Sequence, residues 1–315
     1  MAKVNSLLKI RLDKTLKGGE FLRGKRCNLN CPWCHGDYFY HKEGLRALDN
    51  KEIVECVKKV ILASERPRVE IKISGQGEPC LVGKEELGDL IRRLKRLPKV
   101  ENLKLVTNGT ILAEMANDLY RSGLDGCNVS IHTLNPEKYK MITGRKILYK
   151  AMEGLTLAKK VGLKVKVNTI YSRFNEEEVG DYVDLALRKR ITIKFFRLLP
   201  HGSCESFYLP IENLVEQLNQ LLFKKNKRRQ RFLLEYLLDN SGTKIQVKNS
   251  KINYCLNRYC PSRSACLETC RYSVRISQDG DLHPCGVRLD NIISLISPRT
   301  RLEDIKKALR SGGKF

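Results

Sequence analysis

Three cysteines stand close together near the start of the chain, in the segment CNLNCPWC, at Cys27, Cys31 and Cys34. Thiolates are the soft ligands that hold iron–sulfur clusters and many zinc ions. A Cys-x3-Cys-x2-Cys loop supplies three ligands to a cubane cluster and leaves the fourth iron open to a non-protein ligand. The alternative is a zinc site that His35 completes. The spacing favours the cluster and predicts that these cysteines form a catalytic metal centre.

A second segment whose residues could bind a ligand is SGQGEP, at residues 74–79. Gly75 and Gly77 would let the backbone approach a ligand closely, and the carboxylate of Glu78 can pair with an ammonium group. A glycine-rich turn alone is most often only a turn. Its position one strand after the cysteine loop favours a binding role.

A third group of cysteines lies near the C-terminus, at Cys266, Cys270 and Cys285. The intervening segments YSVRIS, QDGD and LHPC predict a β-hairpin with Asp-Gly at its turn. Such a hairpin brings the three thiols together, where they could bind a second cluster or a structural zinc ion. Whether the preceding Cys255 or Cys260 adds a ligand stays open.

The elements that must position these motifs alternate regularly from about residue 50. Helices of this length between strands require parallel β/α units. With a strand placed just before Cys27 the chain has about six units, whereas a full eight-unit barrel needs ~250 residues. The predicted fold is therefore α/β, a partial (β/α)6 TIM-like barrel, with the motifs on loops at the C-terminal strand ends. Predicted strands lie at 69–74, 103–107, 127–132, 164–170 and 191–199, and predicted helices at 49–63, 84–97, 111–123, 147–161 and 176–189.

Composition predicts three segments: a barrel at residues 1–210, a basic helical connector at 211–250, and a small cysteine-rich domain at 251–315. The connector is expected to be helical over 211–239 and holds the run KKNKRRQR at 224–231. That run is interpreted as a solvated helix face, with a phosphate or RNA contact as the alternative.

The formal net charge of +24 predicts an anionic partner such as a nucleotide or nucleic acid. A lysine-rich solvated surface is the alternative. The N-terminus lacks the apolar core of a signal peptide, so the twelve cysteines are expected in the reducing cytoplasm. No apolar run is long enough to cross a membrane.

CNLNCPWC followed by SGQGEP resembles the radical S-adenosylmethionine superfamily. The resemblance implies a 4Fe-4S cluster on Cys27, Cys31 and Cys34, whose open iron chelates S-adenosylmethionine. An electron from that cluster would yield a 5′-deoxyadenosyl radical, and a reductant protein would supply it. Trp33 would lie by the adenine. Gly75, Gly77 and Glu78 would form the element that holds the methionine amino group.

The run CRYSVRISQDGDLHPC resembles the twitch or SPASM auxiliary-cluster domain of that superfamily. The resemblance implies a second 4Fe-4S cluster on Cys266, Cys270 and Cys285.

Four further stretches resemble the GTP 3′,8-cyclase family of molybdenum cofactor biosynthesis, a family of lyases. The resemblance implies that a radical abstracts the ribose 3′-hydrogen of GTP, after which C3′ attacks guanine C8. It also implies that Ser130 contacts S-adenosylmethionine and that GTP is contacted by Lys72, Thr107, Lys166 and Arg275. The stretches are LKLVTNGTIL, CNVSIHTLNPEKYKMITGR, KVKVNTIYSRFNEEEV and IKFFRLLPHG.

Some positions depart from that family's pattern. The hairpin has Arg275 but Ser273 where the family has a second arginine, and only Arg23 is a candidate for the family's arginine before the cysteine loop. These departures leave open a radical enzyme of the same architecture that modifies another nucleotide, a peptide or an RNA. A zinc-stabilised RNA-binding protein without catalysis is the third hypothesis.

Overall fold

A parallel sheet of six strands in chain order forms the centre of the molecule. The computed structural model describes residues 7–14, 26–34, 47–75, 77–198, 202–222, 227–230, 233–248, 273–284 and 292–311. The strands are β1 Leu7–Asp13, β2 Arg68–Ser74, β3 Val100–Thr107, β4 Gly126–Ser130, β5 Lys164–Tyr171 and β6 Thr192–Arg197. Their order and parallel pairing confirm the predicted β/α units.

Helices connect these strands and cover the outer face of the sheet. The first begins at the capping box of Asp49 and Glu52, as the sequence predicts. Short 3-10 helices at Leu112–Glu114 and Glu176–Glu178 replace the first turns of two predicted helices. The helices are α1 Asn50–Ala63, α2 Lys84–Lys95, α3 Ala116–Arg121, α4 Pro136–Thr143, α5 Leu148–Lys160, α6 Val179–Lys189, α7 Ile211–Leu221 and α8 Leu302–Ser311.

The hydrophobic core lies between the helices and the convex side of the sheet. Alternate strand residues such as Ile10, Ile71 and Leu105 are fully buried there. Because side chains alternate across a strand, the intervening residues point to the concave side. The charge on Arg11 of β1 contributes to lowering the pKa of Lys194 on β6, so the two ends of the six-stranded sheet curve towards each other. This is the predicted partial barrel.

The predicted helix over 211–239 is correct only for α7. Two strands follow it, β7 Lys227–Gln230 and β8 Leu233–Leu237, and then β9 Lys244–Lys248. The turn between β8 and β9 is closed by Asp239, whose carboxylate accepts from the backbone of Ser241 and Thr243. This turn favours antiparallel pairing over a continued helix. β9 runs parallel to β6, so this segment extends the barrel sheet.

The first strand also differs from its prediction. β1 ends at Asp13, well before Cys27, and residues 15–25 lie outside the described ranges. In β1 buried and accessible residues alternate, as expected of a strand. The basic and glycine-rich segment that follows separates β1 from the cysteine loop, so the sequence pattern placed the first strand too close to Cys27.

The predicted C-terminal hairpin is confirmed. It comprises β10 Ser273–Ile276 and β11 Asp281–His283, which pair antiparallel across the turn at Gly280. β10 lies parallel to β1, and β12 Ile293–Ser294 completes the sheet. Cys255, Cys260, Cys266, Cys270 and Cys285 lie outside the described residues, as does most of the proposed cysteine-rich domain. The domain boundaries stay predictions.

Candidate active site

The cysteine loop occupies residues 26–34, and its thiols act on one another. Burial, with contributions from Glu78 and Cys34, raises the pKa of Cys27 to about 11. Burial likewise raises the pKa of Cys31 to about 12, with contributions from Cys27 and Cys34. Three thiolates this close are unfavourable unless a metal group supplies positive charge.

The thiols suit a cluster better than a zinc ion. Among the described residues, no three His, Cys, Asp or Glu side chains are grouped so that they could hold a single metal ion. A cubane cluster needs no such convergence, because each cysteine binds a different iron. Cys27, Cys31 and Cys34 therefore fit a 4Fe-4S group.

Polar side chains after β3 fix this loop. Asn108 Nδ2 donates to Asn28 Oδ1 at 2.8 Å and lies 3.8 Å from Cys27 Sγ. Asn28 Nδ2 donates in turn to Thr110 Oγ1 at 2.8 Å, and the Thr110 hydroxyl donates to Asn108 Oδ1 at 2.8 Å. The closed network sets the direction of Cys27 and places an amide donor beside its sulfur.

Gly77 permits a close contact between the two motifs. Arg26 O accepts a hydrogen bond from Glu78 N at 2.8 Å. A Cβ added to Gly77 would lie 2.1 Å from that same Arg26 O. Only glycine allows the residue before Cys27 to lie against the SGQGEP turn.

We expect Gly77→Ala to displace the cysteine loop, because the clashing atom is backbone. The free energy of unfolding should fall by about 1–3 kcal/mol, and iron bound after reconstitution should fall with it. Gly180→Ala is the matched control, since nothing lies within 4 Å of an added Cβ on that α6 residue. Urea denaturation and iron analysis measure both effects. Equal iron content in the two variants would contradict this role of Gly77.

Glu78 is buried at the centre of the site and accepts three hydrogen bonds. Its Oε1 accepts from Thr107 Oγ1 at 2.6 Å and from Cys80 N at 3.0 Å, and its Oε2 accepts from Asn108 N at 2.6 Å. Burial raises the pKa of Glu78 despite these donors. Oε2 retains a free acceptor position for an ammonium group.

Thr107 has a structural role beside Glu78, and its predicted contact with the substrate stays a prediction. Its side chain is buried, and its hydroxyl donates to Glu78 and accepts from Gly109 N at 3.0 Å. Thr107 therefore orients the carboxylate of Glu78.

Trp33 lies in a small apolar cluster with Ile142, Leu198 and Cys204. Its ring meets His132 edge to face, with the ring centroids 5.5 Å apart. Burial lowers the pKa of His132 to about 4, so this imidazole is neutral near pH 7. His132 Nδ1 accepts from Ile170 N at 3.2 Å, which assigns its proton to Nε2. The sequence reasoning missed His132.

Ser130 is the last residue of β4, where its backbone is in register with Asn168 of β5. The side-chain oxygen of Asn168 is buried without a hydrogen-bond partner in the described part of the chain. Both residues alternate with buried core residues, so they point to the concave side of the barrel. An acceptor that a ligand could satisfy thus lies beside the predicted Ser130.

A row of cations crosses the concave side of four neighbouring strands. Arg275, Arg11, Lys72 and Lys104 are in register across β10, β1, β2 and β3. The sequence predicted Lys72 and Arg275 here but missed Arg11 and Lys104. Arg11 lies on the strand that precedes the cysteine loop, and the candidate Arg23 lies outside the described residues.

A second group of cations faces this row from β5, β6 and β9. Burial, together with the charges of Lys72, Lys104 and Lys244, lowers the pKa of Lys166 to about 8. Burial also lowers the pKa of Lys194 well below its usual value, with contributions from Lys166, Lys72, Lys248 and Arg11. Charges from opposite walls act on one another, so the barrel encloses a strongly positive space.

The row of cations and the group that faces it together form a cationic wall. Two carboxylates hold part of this wall in place. Glu70 pairs with Lys72 at 3.3 Å and with Lys104 at 2.7 Å. Burial alone would raise the pKa of Glu70, but the two ammonium groups outweigh burial and hold it at about 2. Arg275 Nε lies 3.0 Å from Asp13 Oδ2. The remaining cations exceed these carboxylates in number, so the site favours a polyanion.

The family model of the Radical SAM superfamily matches residues 22–186, more than half of the chain. The chain belongs to the radical SAM superfamily. The radical SAM match covers the cysteine loop, Glu78 and Ser130, and it excludes the hypothesis of a non-catalytic zinc protein.

Relatives of this radical SAM enzyme extend the similarity beyond the barrel. A GTP 3′,8-cyclase of Peptoclostridium acidaminophilum is 31% identical over 292 residues, covering 89% of this chain and 83% of that protein. A GTP 3′,8-cyclase of Petrotoga mobilis is 29% identical over 289 residues, covering 87% and 83%. Native anSMEcpe with bound AdoMet has the same fold, with a TM-score of 0.65 at 15% identity over 96% of this chain and 81% of that one.

No described helix of this radical SAM enzyme is both long and apolar enough to cross a membrane.

Proposed function

We propose that this radical SAM enzyme acts on a purine nucleoside triphosphate, with GTP as its substrate, in the GTP 3′,8-cyclase reaction of molybdenum cofactor biosynthesis. The observation that carries the proposal is the positive space inside the barrel. The names of the relatives from Peptoclostridium acidaminophilum and Petrotoga mobilis support the same reaction.

The electrostatics favour a triphosphate over a neutral substrate. The lysines of the cationic wall lower one another's pKa, which means that each is destabilised by the others when no anion is present. A bound triphosphate reverses this repulsion and adds charge-assisted hydrogen bonds. Its binding energy can then hold the ribose in a reactive position near the cysteine loop.

The residues of the strand ends have separate roles in this proposal. Cys27, Cys31 and Cys34 hold a 4Fe-4S cluster, which when bound supplies the electron that cleaves S-adenosylmethionine. Glu78 orients the methionine amino group, and Ser130 contacts the same cofactor. S-adenosylmethionine, when bound by these residues, would supply the radical that removes the ribose 3′-hydrogen of GTP.

A second 4Fe-4S cluster on Cys266, Cys270 and Cys285 completes the proposal. With three protein ligands it would keep one iron for the guanine. Arg275 lies on β10 between Cys270 and Cys285, in register with Arg11 of β1 at the edge of the cationic wall. A reductant protein would provide the electron to the cysteine loop.

The test uses anaerobic, reconstituted and reduced protein. S-adenosylmethionine is added with and without GTP, and 5′-deoxyadenosine and the mass of the nucleotide are followed. We expect GTP to stimulate cleavage and to yield an isomer of GTP. If S-adenosylmethionine is cleaved but GTP is unchanged, GTP is not the substrate, while the radical chemistry of the superfamily is still supported.

A second substrate class is favoured by one contact. Arg275 is engaged by Asp13, and Ser273 stands where a second arginine would help to recognise guanine. A different nucleotide, a peptide or an RNA would therefore be the substrate if GTP fails. The same assay with other nucleoside triphosphates and with RNA at two salt concentrations distinguishes these, since RNA binding weakens steeply with salt.

Triphosphate binding is expected to weaken as the pH rises through about 8. Below that pH Lys166 is protonated and attracts the anion, and above it the ligand-free lysine loses its charge. Lys166→Arg keeps the charge at all these pH values, so its affinity should fall less steeply between about pH 7 and pH 9. Calorimetric titration with GTP at several pH values measures both slopes. Identical slopes would contradict a role of Lys166 in binding.

A further inference from the structure

A tyrosine of α4 is buried beside the cysteine loop with an unsatisfied hydroxyl. Only 2% of Tyr139 is exposed, and its Oη has no hydrogen-bond partner among the described residues. Buried hydroxyl groups nearly always have a partner, because leaving water without one is unfavourable. This orphaned donor therefore points to a partner that binds at this place.

Helix α4 is attached to the cysteine loop by its last turn. Thr143 O accepts from Asn30 N at 2.9 Å, and Asn30 lies between Cys27 and Cys31. Tyr139 precedes Thr143 by one helical turn, so both side chains lie on the same face of α4. The Thr143 hydroxyl donates to Tyr139 O at 2.7 Å, which ties this turn together. The geometry thus directs Tyr139 to the loop.

The groups that surround the phenol identify the kind of partner. Burial is the main cause that raises the pKa of Tyr139, and the next causes are charges on Cys31, Cys27 and Glu78. Glu78 is the last of these causes, and its open acceptor position on Oε2 is the one assigned to the methionine ammonium group. The other two groups, the thiols of Cys31 and Cys27, lose their protons when iron binds. An anionic sulfur accepts a hydrogen bond well.

We propose that Tyr139 Oη donates a hydrogen bond to the thiolate of Cys31 or Cys27 in the iron-loaded protein and thereby raises the reduction potential at the loop. Hydrogen bonds to ligating sulfur stabilise the more negative, reduced state and raise its potential. Tyr139 is therefore a positioning and tuning residue for the electron-transfer step. The inference rests on the proposed cluster-binding role of the loop.

We expect Tyr139→Phe to be neutral or favourable in the iron-free protein and unfavourable for reduction in the iron-loaded protein. Without iron, the change removes a buried hydroxyl that has no partner, so the melting temperature should stay equal or rise. With iron, the change removes a donor from sulfur. We expect the equilibrium constant for one-electron reduction to fall about tenfold, which is a shift of about 59 mV to lower potential.

The experiment is an anaerobic titration with dithionite, in which each cluster gains one electron from the titrant. Electron paramagnetic resonance follows the reduced state, and the signal that changes on addition of S-adenosylmethionine is assigned to the cysteine loop. Melting temperatures are measured with and without iron. Tyr182→Phe is the control, because Tyr182 Oη donates to Ile131 O at 3.0 Å within the protein itself. It should lower both melting temperatures and leave the potential unchanged.

Three results would overturn the proposal, the first two of which concern the potential and the stability. One is an unchanged potential in Tyr139→Phe. The other is a lower melting temperature of its iron-free form, equal to that of Tyr182→Phe. A variant that weakens S-adenosylmethionine binding at constant potential would also overturn it, since the acceptor would then be the cofactor. Failure of the proposed function is separate: Cys31→Ala would then bind as much iron as the unaltered chain.

Discussion

Cys31→Ala is expected to reduce the formation of 5′-deoxyadenosine to background. The thiol of Cys31 is half-buried, and charges on the other two thiols of the loop raise its pKa. Its loss leaves two protein ligands for the cluster. The measurement is anaerobic S-adenosylmethionine cleavage by the reconstituted variant, with iron analysis of the same sample.

The control is Cys56→Ala. Cys56 is buried on α1, and burial alone is the main cause that raises its pKa to about 11. We expect a small loss of stability, unchanged iron content and unchanged cleavage. If Cys31→Ala still produced 5′-deoxyadenosine at the rate of Cys56→Ala, the assignment of the catalytic loop would be wrong.

Glu78→Gln is expected to destabilise the protein and to weaken cofactor binding together. An amide cannot accept at both of the positions where Glu78 accepts from Cys80 N and Asn108 N. One buried backbone donor is left unpaired, which costs about 1–3 kcal/mol. The loss of the carboxylate also removes the partner of the methionine ammonium group, so the affinity for S-adenosylmethionine should fall more than tenfold, an effect of over ~1.4 kcal/mol.

Urea denaturation and equilibrium binding measure the two effects of Glu78→Gln. Glu101→Gln is the control, because Glu101 pairs with Arg68 at the exposed edge of the sheet and surface pairs contribute little. It should change neither quantity. Unfolding curves that coincide for Glu78→Gln and Glu101→Gln would show that the hydrogen bonds of Glu78 do not support the site.

The order of the barrel strands could be predicted because each repeats the same local pattern. β2 to β6 are period-two runs separated by helices, and the helix before β2 has its own start signal in the Asp49 capping box. The ends of the barrel lack this repetition. β1 is followed by a long basic segment, and β7 to β9 are short antiparallel strands whose pairing depends on a turn at Asp239. Long-range pairing of this kind leaves little local signal.

The site divides in the same way. Cysteine spacing and the Gly-x-Gly-Glu-Pro pattern are local, so Cys27, Cys31, Cys34 and Glu78 could be named from the sequence. Arg11, Lys104 and Lys194 could not, although each alternates with buried residues, because a charged residue at a strand's accessible face is common. Only the closure of the barrel shows that their charges meet. Tyr139 reads as an ordinary core residue until its unpaired hydroxyl is seen.

The pairing of β10 with β1 has a consequence for biosynthesis. Asp13 and Arg275 are 262 positions apart, so the outer edge of β1 has no β10 to pair with until almost the whole chain has been translated. At ribosomal rates of about 5–20 residues per second, that interval lasts on the order of tens of seconds. An open edge strand is a template for pairing with other chains. Nascent chains therefore expose a binding surface for chaperones at β1, and a polypeptide that stops before residue 273 retains that aggregation-prone edge permanently.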